Sequence, residues 1–97
     1  MKQGRGQLTR RVADKSKELL GYEITLSELR LMPYVHYLTM NEQKVSHHKV
    51  NEDEIKILDM WVTKEFIGGD YFTKLNVTKN FYNALCEILY LSYVDIN

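Results

Sequence analysis

The sequence predicts an all-α fold: one compact domain of four to five helices around a single core, with a short β-hairpin near 62–77 as the competing element. Three observations carry that prediction. Apolar residues recur at three- and four-residue intervals through most of the chain. Two capping signatures, Thr25-Leu26-Ser27-Glu28 and Asn51-Glu52-Asp53-Glu54, each open such a run. One Pro and five Gly in 97 residues leave few places where a helix must break. A chain that is 44% hydrophobic and 27% charged fits one ordinary globular core and is too short for two domains.

Residues 1–6 carry Lys2 and Arg5 with two glycines and read as a flexible basic tail, leaving 7–97 as the helical domain. Leu8, Val12, Leu19 and Leu20, with Ser16 completing the stripe, predict a first helix over 7–20, and Gly21 stops it by accepting a left-handed backbone. Thr25 and Glu28 start the second helix, whose apolar residues from Leu29 to Met40 face the core on more than one side. Pro33 removes a backbone donor inside that run. Either the helix kinks near Arg30, or a new helix starts with Pro33 in its first turn.

Asn41 to Lys49 is polar and reads as a loop. Asn51 caps a third helix over 52–64, in which three carboxylates favour the helix dipole and Ile55, Leu58, Trp61 and Val62 mark one face. The Val-, Thr-, Phe- and Tyr-rich stretches flanking Gly68-Gly69-Asp70 allow a hairpin. A helix end followed by a loop is the preferred reading, because Trp61 and Val62 continue the stripe begun at Ile55. Thr78 then caps a fourth helix over 79–93, with Phe81, Leu85, Ile88 and Leu89 inward.

The net charge of zero conceals an asymmetry. Residues 1–20 hold six cations against Asp14 and Glu18, a balance of +4, and the remainder carries −4. No run approaches the roughly 18 apolar residues of a membrane span, and the N-terminus lacks the apolar region of a secretory signal. A cytoplasmic protein that makes no membrane contact is expected. The single Cys86, between Leu85 and Ile88, reads as a small buried thiol, which excludes an internal disulfide.

Catalytic, cofactor-binding and metal-ligating sets are all absent from this reading. His47-His48 lacks further ligands at metal spacing, and His36 reads as a packed or hydrogen-bonded histidine. Glu52, Asp53 and Glu54 are accounted for by the helix start, and Asp59 falls on the exposed side of the same helix. Cys86 has no base within a helical turn, and neither a nucleophile elbow nor a phosphate loop is present. An enzyme is not expected.

Two binding surfaces remain. Tyr82, Tyr90 and Tyr93 cannot all share the face of Phe81, Leu85 and Ile88, so some of them meet solvent or another chain, with a homodimer through the last helix as one outcome. Arg5, Arg10, Arg11, Lys15 and Lys17 form the alternative, a set of phosphate contacts for nucleic acid. The first two helices have helix-turn-helix proportions, but the second offers only Arg30 and Ser27 beside Glu28 for reading bases. A winged-helix arrangement would instead read with residues 51–66, which carry a net −3 and are repelled by phosphates.

Leu31-Met32-Pro33-Tyr34, Met40-Asn41-Glu42-Gln43, the Gly68-Gly69 pair and Glu87-Ile88-Leu89-Tyr90-Leu91 resemble small uncharacterised accessory proteins of tailed enterobacterial phages and prophages. That resemblance implies an accessory or host-interaction role and carries over no site residues. The expectation is a small non-enzymatic interaction protein without a cofactor, binding a host or phage protein, with nucleic-acid binding through the basic first helix as the alternative.

Overall fold

Each helix begins where a side chain satisfies an otherwise unpaired amide. The computed structural model describes residues 6–95, and within them lie α1 (Arg10–Leu20), α2 (Leu26–Met40), α3 (Glu52–Thr63) and α4 (Lys79–Leu89), followed by a π-helical turn, Tyr90–Val94. Thr9, Thr25, Asn51 and Thr78 each accept a hydrogen bond from a first-turn amide, and Thr25–Glu28 and Asn51–Glu54 close as reciprocal capping boxes. Gly21 ends α1 at φ 88°, donating its N–H to the Lys17 carbonyl. The all-α prediction therefore holds.

Three boundaries differ from the expectation. The first helix starts at Arg10 rather than residue 7, because Thr9 supplies the cap. Pro33 lies inside an unbroken α2, so no second helix starts there. The α-helical geometry of α4 ends at Leu89, and the chain widens into i→i+5 bonding, seen where the Asp95 amide donates to the Tyr90 carbonyl at 2.8 Å. The segment 62–77 is a loop as preferred, pinned by a single antiparallel bridge between Ile67 and Val77, and no strand forms among the described residues.

The packing order is α1, α4, α2, α3. Helix α4 packs against both α1 and α2, and α3 packs against α2. The core holds Val12 from α1, Leu29, Met32 and Val35 from α2, Leu58 and Trp61 from α3, and Phe81, Leu85 and Ile88 from α4. Phe81 fixes the loop to the core, with Phe66 stacked on it at 4.6 Å and Trp61 tilted against it at 5.1 Å between ring centroids.

One carboxylate sits within this core. Glu28 is 2% exposed; its Oε1 accepts from the Thr25 amide at 3.0 Å, and its Oε2 accepts from Trp61 Nε1–H at 3.0 Å and from the Tyr22 hydroxyl. Burial first, and the adjoining Glu28 second, push the Tyr22 hydroxyl pKa upward. Lys64 lies over the outer face of the Tyr22 ring at 4.4 Å from its centroid. A buried carboxylate is tolerated when its oxygens are met by donors in this way.

Candidate protein interface

Helices α2 and α4 align two side-chain rows along one surface groove. On α2, Pro33, His36 and Met40 recur at three- and four-residue intervals and so share a face. On α4 and the π turn, Tyr82, Cys86, Leu89, Tyr90 and Tyr93 do the same. Pro33, His36, Cys86, Leu89, Tyr90, Tyr93 and Val94 line a cavity of about 380 Å³ between the two rows. Of its lining residues Tyr90 is 54% and Val94 66% exposed, and Met40, one turn beyond His36 on α2, is 64% exposed.

The three predicted tyrosines are brought together here with distinct roles. Tyr90 is the exposed one, while Tyr82 and Tyr93 are half-buried. Tyr93 lies against the backbone of Gly6, whose N–H donates to the Ser92 carbonyl at 2.9 Å, so the start of the described chain packs on a groove residue. Tyr82 stacks on His36 with centroids 5.6 Å apart. Its hydroxyl donates to Met40 Sδ at 3.0 Å and shares a 3.4 Å hydrogen bond with His36 Nε2. The Tyr82 hydroxyl pKa is raised, with Cys86, one turn along α4, as the foremost cause.

Cys86 corrects the expectation of a buried thiol, because it is half-buried and faces the groove. Successive residues of an α-helix are separated by about 100° around the axis, so buried Leu85 does not bury its neighbour. Pro33, Met40, Leu89 and Val94 are groove residues that the sequence reading did not single out. Helix α2 is apolar on nearly every side, which hides any outward stripe.

The basic residues fare differently. Arg5 lies outside the described residues. Arg10 reaches Asp14 at 3.2 Å and Glu23 at 3.4 Å; Arg11 reaches Asp95 at 2.8 Å; Lys15 reaches Glu18 at 3.4 Å. Glu23, foremost, raises the Arg10 pKa further. Lys17 is exposed in the last turn of α1. Moreover, α1 and α2 make no close backbone approach to each other, each packing instead on α4. That separation is unlike a helix-turn-helix, in which the two helices pack as a unit.

The histidines do not converge. His47 stacks on Phe72 at 3.7 Å, and no group of three His, Cys, Asp or Glu suited to a metal occurs among the described residues. Asp59 is exposed as expected, yet it accepts from the buried Tyr71 hydroxyl at 2.6 Å. Burial, and then Asp59, push that hydroxyl up to about 12. A second cavity, about 690 Å³, lies between the 42–46 and 73–76 loops and is lined by surface side chains including Glu42, Lys44 and Lys74. Ser92 Oγ is the one buried side-chain polar atom without a partner among the described residues, and it does not line that cavity. No helix among them is long and apolar enough to cross a membrane.

Comparison with protein-family models, with curated proteins and with solved structures finds no match for the chain.

Proposed function

We propose that this is a small non-enzymatic interaction protein that binds a protein partner along the α2–α4 groove. The observation that supports this reading is the exposure of Tyr90 and Val94 at the edge of one apolar depression, with exposed Met40 further along α2. Contiguous exposed apolar surface of that kind is characteristic of protein-binding sites, and tyrosine contributes apolar area together with a polar tip. The resemblance to phage accessory proteins is in keeping with a host or phage protein as the partner. A second copy of the chain is the simplest candidate, because a two-fold axis would bring α4 against its own equivalent.

The nucleic-acid alternative draws less support. Three of its five cations already face carboxylates, which offsets the positive field expected to attract phosphates.

Sedimentation of wild type and Tyr90→Asp at micromolar concentration tests the dimer: a concentration-dependent dimer lost in the variant is expected, and a monomer in both removes the second copy as the partner. Capture experiments test the groove itself. A partner retained by Arg10→Glu/Arg11→Glu but lost with Tyr90→Asp/Val94→Asp supports the groove, and the reverse pattern transfers function to the basic helix.

A further inference from the structure

We propose that two adjoining depressions beside the C-terminal half of α2 bind single-stranded nucleic acid, with Lys44, Lys49 and Lys74 on its phosphates and Tyr37 stacked on a base. One is the cavity of about 690 Å³ between the 42–46 and 73–76 loops; the other, about 510 Å³, is lined by Tyr34, Tyr37 and Lys49. Leu38, Gln43, Lys44 and Ser46 line both, so the two meet along one wall. Neither shares a lining residue with the α2–α4 groove. Binding here is therefore independent of what docks in that groove, and none of the α1 cations takes part.

Charge distinguishes this place from the rest of the body. Residues 21–97 hold seven cations against eleven carboxylates. Three of those seven, Lys44, Lys49 and Lys74, line the depressions, against one of the eleven, Glu42. All four are exposed. Unlike Arg10, Arg11 and Lys15 of α1, the three lysines make no ion pair among the described residues. A local excess of cations in an acidic body draws an anion to this place rather than to its surroundings. The side chains of Gln43, Thr73 and Asn76 make no hydrogen bond among the described residues either, which leaves amide and hydroxyl groups for sugar and base edges.

The walls are built before any ligand arrives. Gln43 N–H donates to the Leu38 carbonyl at 2.9 Å, Val45 N–H to the Tyr71 carbonyl at 3.0 Å and Ser46 N–H to the Tyr34 hydroxyl at 3.1 Å. Val45 is buried, so it anchors this segment in the core with Lys44 beside it in solvent. Across the cavity, the Thr73 and Lys74 amides both donate to the Asp70 carbonyl, at 2.8 and 2.9 Å. Binding then has only side chains to order, which keeps its entropic cost low.

Shape and polarity select the ligand. A pocket for a small molecule encloses it and is mostly apolar, whereas these depressions are rimmed by exposed polar side chains. A ligand that gains a little from each of several contacts suits them better, and a polyanion does so. Tyr37 narrows the class: it is 55% exposed and stacks on no other ring among the described residues. Base stacking on an exposed ring, combined with cations along the phosphates, is how single strands are held without sequence preference. A duplex keeps its base faces stacked inside, so Tyr37 offers it nothing.

Fluorescence anisotropy with a labelled oligodeoxythymidylate of about eight nucleotides tests the site. Micromolar binding is expected at low salt. It should weaken as salt rises with a log–log slope of about −2, since each phosphate met on a single strand contributes about −0.7. Lys44→Ala, Lys49→Ala and Lys74→Ala should each flatten that slope by about 0.7. Tyr37→Ala should weaken binding by about fivefold or more with the slope unchanged, and Tyr37→Phe should restore it. Glu42→Gln removes the one lining carboxylate and should bind more tightly than wild type, a result that misfolding does not imitate. Arg10→Ala/Arg11→Ala should bind as wild type does, and loss of binding there overturns the proposal. So does equal binding of a duplex, equal displacement by polyglutamate, a salt slope untouched by all three lysine changes, or no saturable binding.

Discussion

Glu28 and Tyr82 are each the centre of a polar cluster built between helices, and they differ in what surrounds them. Glu28 is closed in by Tyr22, Thr25 and Trp61, and its contacts end inside the protein. Tyr82 meets His36 and Met40 at the rim of an open groove, where both partners are half-buried or exposed. Burial turns the first cluster into a structural device, since a donor that loses its acceptor there cannot turn to water. Exposure leaves the second one replaceable, and replaceable donors are the ones available to a ligand.

The sharpest way to break the comparison is Glu28→Ala. It removes half of a capping box and deprives the Trp61 indole and the Tyr22 hydroxyl of their shared acceptor. A loss of about 3 kcal/mol or more is expected from an unpaired buried donor together with a lost cap. Urea denaturation of variant and wild type measures it. A loss below about 1 kcal/mol would mean that water replaces the carboxylate and that the two clusters do not differ as argued.

Tyr71 and Asp59 lie between the extremes, with a buried donor and an exposed acceptor. Tyr71→Phe should cost about 1 kcal/mol at neutral pH. The Tyr71 hydroxyl is raised from 10 to about 12, so the folded protein holds a proton that the unfolded chain releases between those values. Stability from this group is therefore complete below pH 10 and is lost as pH rises towards 12. Urea midpoints of wild type and Tyr71→Phe followed from pH 8 to 12 should converge at the alkaline end. Parallel curves would show that the hydrogen bond does not hold the proton.

These contacts also mark how far the sequence could be read. Helix caps were legible because their partners lie three residues away: Thr25 with Glu28, Asn51 with Glu54, and Thr78 with the Phe81 amide. Phase around α4 was legible in part: it put Phe81, Leu85 and Ile88 inward and required some of Tyr82, Tyr90 and Tyr93 to leave that face. What joins distant elements was not. Glu28 has the same capping role in sequence and structure, but its bond to Trp61 spans 33 residues and no local pattern encodes it. The basic first helix looked available for phosphates because Glu23 and Asp95 lie beyond it, and only folding brings them to Arg10 and Arg11. Cys86 was misplaced by treating sequence neighbours as spatial ones.

A smaller effect tests the packing of Gly6 on a residue of the open cluster's groove. Gly6 has φ +72°, and a Cβ there would fall 2.7 Å from the Tyr93 hydroxyl. Gly6→Ala should cost about 1 kcal/mol through the left-handed backbone alone, and it should displace the Tyr93 ring as well. Tyrosine fluorescence quenching in parallel with urea denaturation separates the two consequences. An unchanged stability with unchanged quenching would remove Gly6 as a support for Tyr93.

The smallest effect on stability is expected at the centre of the open cluster. Tyr82→Phe keeps the ring that stacks on His36 and removes only the hydroxyl, whose partners then meet water without burying an unpaired group. Surface substitutions of this kind leave folding nearly untouched, so the urea midpoint should match wild type within error. Both this change and Glu28→Ala remove the hub of a cluster, yet Glu28→Ala disturbs the core and Tyr82→Phe leaves two partners, His36 and Met40, at the surface. Thiol reactivity gives the second readout, because Cys86 lies one turn from Tyr82 on α4 and lines the groove together with His36. Alkylation of Cys86 in the folded protein should change in rate while the midpoint stays fixed. A large fall in the midpoint would show that Tyr82, like Glu28, is part of what holds the helices together, and the distinction between a closed and an open cluster would fail.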